Sequence, residues 1–234
     1  SYLTPRLIAE GLTLLSLALG LGLLHALDAD HILAVSGLMS AHPNRAAGRR
    51  FCLRWAAGHG LALLSIGAAV LWLGMALPAA FNTYAEGLVG LALLVIAAGV
   101  WRDLWRRDIH LHSHAHDGLA PHAHWHRHGG ANRTQHRHAH AAVLVGVLHG
   151  AAGSAPLLAL VPLARLDSPW IGFVYLLVFA VGVAGAMLVF GGLLGAALEK
   201  LARDRARPLK LARAGLAVGA MGWGLVFLYG VTGR

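Results

Sequence analysis

The sequence predicts an all-α, polytopic membrane protein whose six transmembrane helices form two inverted three-helix repeats. Three observations carry this prediction. Hydrophobic residues make up 57% of the chain and charged residues only 12%, against about 25% charged in a soluble domain. Six apolar runs stand out, and a bilayer core needs about 20 such residues per helix. One histidine-bearing segment also recurs, in degenerate form, 124 residues further along.

The runs are Leu7–Met39, Trp55–Leu77, Tyr84–Trp101, Ala141–Leu163, Trp170–Leu198 and Leu211–Val231, the third being short. None alternates apolar and polar residues as the strands of an outer-membrane barrel do. The first run has no basic stretch beyond Arg6 and meets His25 and Asp28 instead of a small-residue cleavage site. It is therefore expected to stay as a helix and not to be removed as a signal peptide. Cys52 is the single cysteine, which excludes an internal disulfide and a thiol pair for redox work.

A net charge of +9 raises the question of nucleic acid, but the placement of the charges answers it. The segments Ser40–Arg54, Arg102–His140 and Glu199–Arg213 hold 4, 6 and 6 Lys/Arg, while Arg6, Arg165 and Arg234 fall on the other side. Sixteen against three is the asymmetry of the positive-inside rule. It predicts a bacterial inner-membrane protein with both termini outside, three cytoplasmic basic loops and no nucleic-acid partner.

The repeat sets "GLLHALDADHIL" (Gly22–Leu33) over "GVLHGAAGSAPL" (Gly146–Leu157), with His25 over His149, and the same offset sets Gly58 over Gly182. Three spans per half is odd, so the halves lie in opposite orientations, a plan that places transporter substrate sites near mid-membrane. The chain then divides into a first half (1–109), a loop (110–140) and a second half (141–234). The second copy has Ala152, Ser154 and Ala155 where the first has Asp28, Asp30 and His31, and it gains Pro156 close to Gly153. The first half is thus expected to carry the ligands and the second a broken helix facing them.

The four ionisable groups of "HALDADHI" (His25–Ile32) need a partner, since an aspartate at the bilayer centre costs about 2.5–3.5 kcal/mol. No Lys or Arg lies within the apolar part of any run. A divalent cation fits, because imidazoles and carboxylates are metal ligands and the ion offsets the negative charge. On an unbroken helix His25, Asp28 and His31 share one face. Asp30 then either orients a ligand from the far side or enters the site through local unwinding. The plainer reading is a helix end with its charges in the water interface. In the second run His59 sits between Gly58 and Gly60, which allow close helix approach, and is a further candidate ligand. His149 and Ser154 are candidates for the translocation path.

These residues carry a resemblance. The segment "HALDADHI" resembles the His-x4-Asp-His signature of the nickel/cobalt transporter family, filled by His25, Asp30 and His31, with Asp28 also matching. "GHG" at Gly58–Gly60 is similar to that family's Gly-His-Ser motif, with Gly60 in place of serine. "LHGAAGSAPL" resembles the Gly-Ser segment of the shorter UreH- and NicO-type branch. The longer transporters have eight spans, and their Asp-Thr-Ala-Thr-Glu-type segment is missing here. The resemblance, and nothing in the spacing, implies nickel or cobalt as the substrate.

Between the third and fourth runs lies a segment with eleven of the sixteen histidines: His110, His112, His114, His116, His122, His124, His126, His128, His136, His138 and His140. Most alternate, so an extended chain puts neighbours on one side, where each cluster can hold a transition metal weakly. The resulting expectation is a membrane permease for a divalent metal, nickel or cobalt with zinc possible, acting on the ion as substrate and using no cofactor. His25, Asp28, Asp30, His31 and His59 would form its intramembrane site, and the loop would buffer or sense metal. Urease or hydrogenase maturation factors are possible partners. Two alternatives stay open: a membrane metalloenzyme, and a non-transporting sensor or accessory protein of urease or hydrogenase assembly.

Overall fold

The structure is a computed structural model and describes residues 3–41, 44–75, 78–106, 112–114, 122–124, 131–152, 168–204 and 206–233. These residues form helices α1 (Leu3–His25), α2 (Ala29–Met39), α3 (Arg45–Leu73), α4 (Ala79–Arg106), α5 (Ala131–Ala151), α6 (Pro169–Asp204) and α7 (Ala206–Thr232). Strands β1 (His112–His114) and β2 (His122–His124) pair antiparallel between α4 and α5. The helices α3, α4, α6 and α7 are long and apolar enough to cross a membrane, and α1 with α2 adds a fifth span if the bent pair counts as one. The protein is a multi-pass helical membrane protein. The fourth expected run is described only as far as Ala152, in α5; its remainder, with Ser154 and Pro156, lies outside the described residues.

Three expectations change. The first apolar run is not one helix, because the chain breaks after His25 and bends by 53° before α2. The first and third basic segments are mostly helix: α3 begins at Arg45, α6 runs to Asp204 and α7 resumes at Ala206. Lys and Arg are good helix formers, so these helices continue past their apolar stretches. Helix α5 likewise starts at Ala131, so the segment reaching to His140 is not all loop.

Local chemistry sets the ends of α3. The Asn44 side chain accepts a hydrogen bond from the Ala47 backbone N–H at 2.9 Å, a standard N-cap. Gly74 closes the helix in the left-handed region at φ 61°, where glycine has no Cβ penalty.

The basic ends gather on one side of the bundle. The Arg45 N–H of α3 donates to Glu199 of α6 at 3.4 Å, and Arg213 of α7 pairs with Asp103 of α4 at 3.5 Å. At the other end Trp72 of α3 meets Trp170 of α6 edge to face, with centroids 5.1 Å apart. Arg213 is buried; its partner is 110 positions away in sequence and close only in the fold.

Glycines let the helices touch backbone to backbone. A Cβ on Gly22 would overlap the Phe179 carbonyl, and one on Gly146 would overlap the Trp55 carbonyl. Gly58 lies in the same way against Val143, and Gly182 against Leu19. Gly67 meets Leu176, and Gly191 meets Cys52. Each pair of contacts maps onto the other by the 124-residue offset of His25 and His149. The core between α1, α3 and α6 includes Trp55, Leu63, Tyr175, Phe179 and Met187, all fully buried. Leu24, Leu61, Val95, Val189 and Val226 are exposed; an apolar surface of this kind suits lipid.

Candidate metal centre

The break after His25 builds the site. Asp28 occupies the N-cap position of α2 yet makes no side-chain capping bond, although capping is worth about 1 kcal/mol. Its Oδ2 lies instead 2.8 Å from His25 Nδ1. His31 Nδ1 sits 3.0 Å from the His25 carbonyl, and His149 Nδ1 sits 2.8 Å from the Val145 carbonyl. A carbonyl only accepts, so the Nδ1 atoms of His31 and His149 are the donors and their Nε2 atoms keep the lone pair. An N–H held by a carboxylate or carbonyl is the usual way a metal-binding histidine is oriented.

The imidazoles converge. Ring centroids stand 4.6 Å apart for His25 and His31, and 5.5 Å from His59 to each of them. His149 of α5 comes within 5.2 Å of His31. All four rings are buried. Ligand atoms of His25, His31 and His59 lie within 4.8 Å of one another, as do those of Asp28, Asp30 and His31. Asp30 Oδ2 is 4.0 Å from His31 Nε2 and 3.9 Å from His149 Nε2. Its side chain is 16% exposed, against 42% for Asp28. Asp30 therefore lies between His31 and His149, while Asp28 lies beside His25 and is the more exposed of the two.

Both ring nitrogens of His25 and of His59, together with His149 Nε2, are buried with no hydrogen-bond partner among the described residues, the approach of Asp28 to His25 being an ion-pair contact only. Buried polar atoms are nearly always satisfied, so a concentration of free imidazole nitrogens beside a carboxylate calls for an explanation. A divalent transition metal gives one, since it takes lone pairs of this kind.

Comparison with known proteins agrees with this chemistry. The NicO family, described as "High-affinity nickel-transport protein", matches residues 11–220. The chain belongs to that family. It is also similar to the urease accessory protein UreH of Bacillus sp. (strain TB-90), at 27% identity over 184 residues, covering 79% of this chain and 77% of that one. No solved structure matches significantly. The NicO match spans both halves of the site, from His25 to His149.

Within this NicO chain, six residues singled out from sequence come together: His25, Asp28, Asp30, His31, His59 and His149. The helical-wheel reason for grouping His25, Asp28 and His31 does not hold, because the helix is interrupted between them. Ser154 lies outside the described residues, as do His110, His116, His126 and His128. Register sets His112 opposite His124 and His114 opposite His122, which puts four histidine positions on one side of the ladder. His136, His138 and His140 are helical instead. Sequence reasoning missed Trp55. Its ring stacks on His59 at 5.1 Å and lies 4.9 Å from His31 and 5.9 Å from His149. The available signal was the repeat offset, which sets Trp55 over Phe179, the ring that packs on His25 at 5.6 Å.

Proposed function

We propose that this NicO-family chain is a permease that carries Ni²⁺ or Co²⁺ across the cytoplasmic membrane. The observation that supports it most is the cluster of buried imidazoles beside Asp30, with unpartnered nitrogens on His25, His59 and His149 and the Nδ1 atoms of His31 and His149 held by carbonyls. His25, His31, His59, His149 and Asp30 are the ligands, and Asp28 fixes the orientation of His25. The ion is substrate, so its coordination must form and release. Six spans in two inverted repeats rock about the site to expose it alternately; the helix contacts that repeat at the 124-residue offset support that plan. The charge bias supports a cytoplasmic position for the basic ends and for the histidine-rich segment, which buffers metal there. The likeness to a urease accessory protein supports a link to the assembly of a nickel enzyme.

Flux into proteoliposomes tests the reading, with nickel, cobalt and zinc offered separately on each face. The wild type should carry nickel or cobalt, and His25→Ala and His31→Ala should abolish flux while remaining folded in detergent. Undiminished flux in both variants would overturn the assignment of the site.

A further inference from the structure

Trp55 and Phe179 occupy equivalent positions, 124 residues apart, in the two halves. Each backbone carbonyl receives a glycine of the opposite half, Gly146 for Trp55 and Gly22 for Phe179. Each ring packs on the equivalent histidine, His149 for Trp55 at 5.9 Å and His25 for Phe179 at 5.6 Å. Both side chains are fully buried.

Their displacements from the bundle centre are opposite. His59 is the midpoint of α3 (Arg45–Leu73), and Trp55 lies one turn, about 6 Å, nearer the Arg45 end. On α6 the position equivalent to His59 is Val183, and Phe179 lies one turn nearer Pro169. The Pro169 end of α6 neighbours the Leu73 end of α3 through Trp72 and Trp170. The two rings therefore flank the histidine cluster from opposite membrane sides. Neither ring supplies a ligand, since a phenyl has no lone pair and an indole N–H only donates.

We propose that Trp55 and Phe179 are the two closing residues of the translocation path, each barring the ion from one face of the membrane. This rests on the permease reading. Trp55 seals the site from the Arg45 end and Phe179 from the Trp72 end. The Trp55 Nε1 atom has no hydrogen-bond partner among the described residues. Such an N–H is satisfied by water, which reaches it when its side of the path opens.

Chemical access tests the proposal without relying on metal flux. A reporter cysteine replaces His59 in a Cys52→Ser background, in oriented vesicles, and an impermeant thiol reagent is added to one face at a time. Trp55→Ala should speed labelling from the Arg45 face by about tenfold or more, with no change from the other. Phe179→Ala should do the reverse. Trp55→Leu and Phe179→Leu retain more of the packing volume and serve where an alanine variant does not fold. Acceleration from the same face in both variants, or from neither face, overturns the proposal. Because labelling needs no ion, that failure is separate from a failure of the permease reading, which would appear as absent wild-type flux.

Discussion

His149 Nε2 of the second half lies 3.9 Å from Asp30 Oδ2 of the first. This contact joins the two copies of the repeat, and Asp30 has Ser154 as its counterpart in the second copy. Asp30 also lies 4.0 Å from His31 Nε2, so its carboxylate stands between a histidine of each half. An ion held by Asp30 and both imidazoles would tie the halves together and would have to be released for them to part.

The first prediction follows from that geometry. Asp30→Asn and His149→Ala should each lower nickel affinity, measured by calorimetry on detergent-purified protein. The double variant should lose much less than the sum, because residues sharing one ligand site are not additive. Strict additivity would mean that the two do not act on the same ion.

Asp28 should behave differently. Its carboxylate contacts His25 Nδ1, and orienting partners of metal ligands are typically worth about 10–100-fold in affinity. Asp28→Asn should therefore weaken nickel binding by about that factor without abolishing flux. A complete loss equal to that of Asp30→Asn would place Asp28 on the ion itself.

The sequence made the ligand types legible and left their division of labour hidden. His25, Asp30, His31 and His59 stand out because ionisable groups in apolar runs are expensive. The break between α1 and α2 does not stand out, since Ala26 and Leu27 are neither glycine nor proline. The wheel of an unbroken helix turns Asp30 away from Asp28, and only the break, the local unwinding that the sequence leaves open, brings Asp30 to within 4.0 Å of His31 Nε2. The burial of Arg213 is equally hidden, because its partner Asp103 is remote in sequence. Trp55 is as apolar as any lipid-facing residue, so hydropathy cannot pick it out; the offset to Phe179 can.

The repeated glycine contacts give a stability test. Gly22→Leu and Gly146→Leu each drive a side chain into a facing carbonyl and should destabilise by at least about 1–3 kcal/mol. The two effects should be similar, because the sites are equivalents. Gly99→Ala and Gly185→Ala meet nothing within 4 Å, and a helical glycine costs about 0.5–1 kcal/mol relative to alanine. They should raise the thermal midpoint slightly. Unfolding in detergent followed by circular dichroism compares all four.

Sidedness is open to direct labelling. In a Cys52→Ser background, cysteines at Ser113 and Thr83 should react with an impermeant thiol reagent from the cytoplasmic and outer faces respectively. This is the orientation that the 16-to-3 distribution of Lys and Arg predicts. The reverse pattern would overturn the assignment of both faces.

The last prediction separates the two histidine populations. In the membrane, packing and backbone carbonyls already hold His31 and His149 in position, so binding there spends little on ordering. Beyond α4, β1 and β2 pair His112 with His124 and His114 with His122, but a two-stranded hairpin is marginally stable by itself in water. Each ion bound there must offset the ordering of its chain, which costs about 1–2 kcal/mol per backbone residue. The hairpin should therefore bind metal weakly and the buried cluster tightly. Replacing those four histidines by serine should remove weakly bound nickel, counted by equilibrium dialysis, while the tight site and proteoliposome flux persist. Flux lost as completely as in His25→Ala, with the protein still folded, would put the hairpin in the translocation path and end its assignment as a buffer.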